Sequence, residues 1–148
     1  MSKLLKKHRY LFAAFIFAAA ILLVSYGVFS VDASVNNMIV EYATNLGWEI
    51  NPSPAAISHL VIPNQFDAVF ETYNALQKKS GFDLSHFKGK RVSRYTYEVK
   101  NHVHSKDSNV YLGVIVFENR IIAGEISSND ITGFMHGIAD TQNIAREP

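Results

Sequence analysis

Apolar residues form one unbroken run near the start of the chain and then recur with two distinct periods. Residues 10–29 carry no charge. At about 1.5 Å rise per residue, a helix of that length matches a hydrocarbon core about 30 Å thick. Beyond the run, Val35, Met38, Ile39, Tyr42, Ala43 and Leu46 fall on one helical face and Gly47 follows as a left-handed cap, so the spacing predicts an amphipathic helix over 33–46. A second stripe, Phe66, Val69, Phe70, Tyr73 and Leu76, has Asp67 and Glu71 early and Lys78 and Lys79 late, as a helix dipole favours. Asn64 suits its N-cap, Gly81 ends it, and Phe82 is placed to fold back over the last turn.

The other period is two. Pro52 and Pro54 interrupt helix ahead of a short apolar strand near 57–62, which Pro63 halts. Tyr95, Tyr97 and Val99 alternate with Arg94, Thr96, Glu98 and Lys100, the pattern of a strand with one buried and one wet face. Val110 to Phe117 is apolar on both faces and reads as a central strand. Glu118, Asn119 and Arg120 connect it tightly to 121–126, so 92–100, 110–117 and 121–126 form an antiparallel meander. The expected fold class is α+β: an N-terminal transmembrane helix, then two amphipathic helices packed on one face of an antiparallel β-meander. The closing stretch 131–140 is expected to be a turn or short helix.

Charge orients this scheme. Lys3, Lys6, Lys7 and Arg9 stand before the apolar run and Asp32 is the first charge after it, so the positive-inside rule puts the N-terminus in the cytoplasm. The domains expected are a basic cytoplasmic tail at 1–9, a transmembrane helix or uncleaved signal anchor at 10–30, and an extracytoplasmic α+β domain at 31–148. The membrane is then a partner through residues 10–29 and the location is the cell membrane, single-pass. The alternative is secretion after cleavage following Ala33, although a signal peptide's apolar stretch is usually shorter, about 7–15 residues. Of the 14 Lys and Arg residues, ten lie beyond the run, against all 13 acidic side chains. That balance leaves no broad basic face for nucleic acid. The chain has no cysteine, which removes disulfides, thiol catalysis, thiolate metal sites and lipoprotein attachment.

The segments YNALQKKSGFDLSHFKGKRVSRYTYEV, IIAGEIS and GFMHG, in that order, resemble the bacterial family catalogued as domain of unknown function 4830. The resemblance covers most of 34–137. It implies an N-terminal membrane segment and an exported domain, as in proteins of Gram-positive, spore-forming lineages, and it carries over no activity and no catalytic residue.

Three constellations remain as candidate chemistry. His102 and His104, two residues apart, suit a weak metal site if joined by His59, His86 or His136. Arg94 with Phe134, Met135 and His136 suits a binding patch, while the period of Tyr95 and Tyr97 places those rings in the core. Lys78, Lys79, Lys88, Lys90 and Arg91 suit anionic lipid or wall polymer, or simply a solvated edge. No nucleophile elbow, HExxH helix or glycine-rich phosphate loop occurs, so no catalytic residue and no cofactor is assigned and the chain leans away from an enzyme. The expected function is a binding or sensing module of the cell envelope, with an envelope protein, peptide or wall polymer as partner. The alternative is an exported metal-binding protein or enzyme using His102, His104 and His136.

Overall fold

The first apolar stripe becomes helix α1, Ala33–Asn45, in a computed structural model that describes residues 32–130 and 133–145. Asp32 caps it by accepting from the N–H groups of Ser34 and Val35. Gly47, at φ +89°, closes it: its N–H reaches Thr44 O at 2.9 Å and Trp48 N–H reaches Ala43 O at 3.0 Å, the paired bonds of a Schellman cap. The second stripe becomes α2, Ala68–Lys79. Its N-cap is Asp67, which accepts from Phe70 N–H at 2.8 Å, and not the expected Asn64, three residues too early. Gly81, at φ +86°, ends α2 in the same Schellman geometry, with Phe82 N–H bonded to Gln77 O.

Five strands follow the period-two segments: β1, Ala56–Val61; β2, Arg91–Glu98; β3, Val110–Phe117; β4, Arg120–Ser128; and β5, Met135–Gly137. They form one antiparallel sheet in the order β1-β2-β3-β4-β5. β3 and β4 are joined by a two-residue turn with both Glu118 and Asn119 at positive φ, so Arg120 already belongs to β4 and pairs with Phe117. The stretch 131–140 therefore supplies a strand, β5, where a turn or short helix was expected.

The sheet has a core on each face. Tyr95, Tyr97, Leu112, Val114 and Ile126 pack with Val35, Ile39 and Ala43 of α1 and with Trp48. On the other face Val92, Ile115, Ile122 and Ala123 pack with Phe70 and Tyr73 of α2 and with Leu84, on the 3-10 turn Leu84–Phe87. The two helices thus lie on opposite faces, which corrects the expectation of a single covered face. The supposedly wet side of β2 is covered because Arg94, on that side, is taken up by an ion pair under α2. Each fully buried large apolar side chain, such as Trp48, Ile39 or Leu112, contributes about 1.5–3 kcal/mol on this arrangement. No helix among the described residues is long and apolar enough to cross a membrane. The expected tail at 1–9 and span at 10–30 lie outside the described residues.

Candidate functional site

Past β2 the backbone bridges Ile50 through Val99 and then folds tightly on itself. Ser105 does the folding: its hydroxyl donates to Val99 O at 3.0 Å and accepts from His102 N–H at 3.1 Å. Asn101 fastens this loop to the end of α1, donating to Gly47 O and accepting from Glu49 N–H. Trp48 is clamped between the two, its indole N–H donating to Ile138 O at 2.8 Å. The result carries His102 inward until the residue is only 3% exposed.

His136 reaches the same place from β5, where it pairs with Ile126. The Nε2 atoms of His102 and His136 stand 3.2 Å apart. Their neighbours fix the tautomers. His136 Nδ1 faces the carbonyl of Gly137 at 3.0 Å and therefore donates. His102 Nδ1 faces the N–H of His104 at 3.1 Å and therefore accepts. The proton of His102 is then on Nε2, donated to the bare Nε2 of His136. Phe134 stacks on His102 at 4.7 Å and 14°, and Trp48 lies 6.0 Å from both imidazoles. Burial, and then the nearby imidazoles of His136 and His104, push His102 down from 6.5 to about 4.

A separation of 3.2 Å would suit two ligands on one ion at about 2.0–2.1 Å. The tautomer opposes it: His102 could ligate through Nε2 only by moving its proton to Nδ1, where it would meet the His104 N–H donor. Among the described residues no three His, Cys, Asp or Glu side chains converge as a ligand set. His104 is exposed and its ring lies 5.4 Å from that of His102, whereas His59 bonds the Ser93 hydroxyl and His86 faces Asp83.

A second polar constellation lies under α2. Glu125, fully buried in the middle of β4, accepts from Arg94 of β2 and from the Tyr73 hydroxyl of α2, the latter at 2.7 Å. The pair crosses β3 at Gly113, where a Cβ would stand 2.2 Å from Glu125 Oε1 and 2.4 Å from Arg94 Nη2. Burial, followed by the Glu125 charge, raises the Tyr73 hydroxyl well above its usual range, so it stays a donor. Beside it Gln77, also fully buried, accepts from Gly124 N–H at 2.9 Å. These groups tie helix to sheet.

The sheet therefore separates the residues read as one patch. Phe134 and His136 belong to the α1 face with His102, whereas Arg94 belongs to the α2 face and alternation puts Met135 there too, 39% exposed. Of the basic run, Lys78 pairs with Asp83 at 3.3 Å and Lys88 sits 4.6 Å above the Phe66 ring, while Lys79, Lys90 and Arg91 are exposed. Sequence reasoning missed Glu125 and Trp48. Glu125 had a signal: a carboxylate amid apolar neighbours in IIAGEIS needs a cation, and Arg94 is the only charge at the middle of β2.

The described fold is thus a three-layer α+β domain, with a polar tie on one face of the sheet and a buried imidazole pair on the other. The family profile described as Domain of unknown function (DUF4830) matches residues 42–126, and the chain belongs to that family. No curated protein and no solved structure matches it.

Proposed function

We propose that this protein is a membrane-anchored, extracytoplasmic binding module of the cell envelope. The observation that supports it is continuity. The uncharged run at 10–29, preceded by four basic residues, is followed almost at once by α1, whose cap is Asp32 and whose first residue is Ala33. No long linker intervenes, so an anchor there holds the domain close to the bilayer.

Binding is assigned to the end of the domain where the 100–109 loop meets β5. Val103 is 47% exposed there, next to exposed His104, and the ring of half-buried Phe134 lies 5.6 Å from the His104 imidazole. Apolar and aromatic groups on a frame pinned by Asn101, Ser105 and Trp48 present a low-entropy contact surface for an envelope protein or peptide.

The test is in-cell cross-linking of the C-terminally tagged full chain, with mass spectrometry of the captured species and of the chain's own N-terminus. One reproducible partner on an uncleaved chain, lost in a V103A/F134A variant of equal abundance, is the expected result. Associations that survive the double substitution would reject the binding surface. A mature N-terminus at Ser34 would reject the anchor.

A further inference from the structure

His102, His136 and the backbone around them form a relay in which every ring nitrogen is used. His104 N–H donates to His102 Nδ1, His102 Nε2–H donates to His136 Nε2, and His136 Nδ1–H donates to Gly137 O. The relay is complete only while both rings are neutral. A proton added to His102 Nδ1 meets the His104 N–H, and a proton added to His136 Nε2 meets the His102 N–H. No other ring nitrogen of the pair is open to take it.

Three distant segments meet at this relay. The backbone of His102 bridges Ile144, Val103 N–H donates to Asn143 O at 3.0 Å, and Ala145 N–H donates to Asn101 O at 2.7 Å. His136 belongs to β5, the shortest strand and the outermost on its side of the sheet. We propose that the His102–His136 contact is a proton-operated latch: neutral, it holds the 100–109 loop and the 141–145 segment against β5, and uptake of one proton releases them. The latch is a property of the described domain and does not rest on the anchored reading.

The electrostatic surroundings favour a sharp response. The loop contributes the His104 imidazole and the exposed Lys100, Lys106 and Asp107, and β5 contributes His136. The connection after α1 contributes Trp48, which is neutral, beside the exposed Glu49, and the 141–145 segment contributes no charged side chain. No carboxylate is among the groups that shift His102. The sign follows. His102 is depressed from 6.5 to about 4, so its neutrality stabilises the folded state in full above 6.5, and that contribution is lost as the pH falls through about 4.

Trp48, the single tryptophan of the chain, reports on the pair directly, because an imidazolium beside an indole quenches its emission. The experiment titrates the full chain in detergent micelles from neutral to acid, following emission and amide exchange. The expected result is quenching with a midpoint between about 6.5 and about 4, together with a loss of exchange protection of about tenfold or more at 100–109 and 141–145 but not in β3. His102→Gln is expected to abolish the opening, since an amide can turn its oxygen toward a protonated His136. His104→Ala keeps the backbone donor and is expected to keep the opening. If His102→Gln does not fold, imidazole NMR of the wild-type chain decides. His102 titrating near 6.5 with protection unchanged at the two segments would overturn the latch.

Discussion

Glu125 has no exposed surface and stands in a strand whose neighbours are apolar, so its desolvation must be offset on the spot. Arg94 and Tyr73 do this, and Gly113 makes their approach possible by leaving the space a side chain would fill. Removing one partner of a buried pair leaves an uncompensated charge, which costs about 3–5 kcal/mol. Gly113→Ala inserts a methyl group between carboxylate and guanidinium, where a Cβ has 2.2 Å to the nearer oxygen. It should destabilise the domain by about 2–4 kcal/mol, read as a lower urea midpoint with unchanged slope. A loss under about 0.5 kcal/mol would mean the pair is not held as described. The residues of this network were half legible. Arg94 was singled out, but as a surface anchor, because period-two alternation assigns every polar position of β2 to water. His102 and His136 were each visible too, and their convergence with His104 was the premise of the alternative reading, but 34 residues separate them and no local pattern encodes which nitrogen faces which.

At the scale of elements, local chemistry carried most of the information. α1, α2, β1, β2, β3 and β4 all lie within a few residues of the spans that periodicity predicts, because caps and turns are chosen over short range. Gly47 and Gly81 at positive φ are the clearest cases. Gly81→Ala should lower stability by about 1 kcal/mol, since a Cβ is strained in that region although nothing crowds it there. The β3–β4 turn offers the opposite sign. Glu118 adopts φ +46°, which Asn and Gly tolerate better than Glu. Glu118→Asn should raise stability by a few tenths to about 1 kcal/mol in the same urea titration, and a decrease would contradict a turn with both residues left-handed. What local chemistry did not carry was partner choice. β5 has only three residues, too few to display a period, and the glycines of GFMHG read as a turn. It is a strand because the free edge of β4 accepts it. The placement of α1 and α2 on opposite faces is non-local in the same way: each has one apolar stripe, and neither stripe says which side of the sheet it will cover.

For the molecule as a whole, the two-faced core makes stability uneven in a predictable order. β3 is flanked by β2 and β4, and both of its faces are covered, by α1 with Trp48 on one side and by α2 with Leu84 on the other. Its amides can exchange only when both neighbours and both helices let go, which amounts to global unfolding. β1 has one paired edge and ends at Val61, 53% exposed, and β5 is held by three register pairs to β4. Native-state hydrogen exchange at neutral pH should therefore rank β3 slowest, β4 and the inner half of β2 next, β1 faster, and β5 with the 141–145 segment fastest of the ordered parts. Acid should then accelerate the last group before the others, because the buried His102–His136 contact that a proton disrupts lies there. Exchange that is uniform across the five strands, or a β1 as protected as β3, would contradict a sheet covered on both faces.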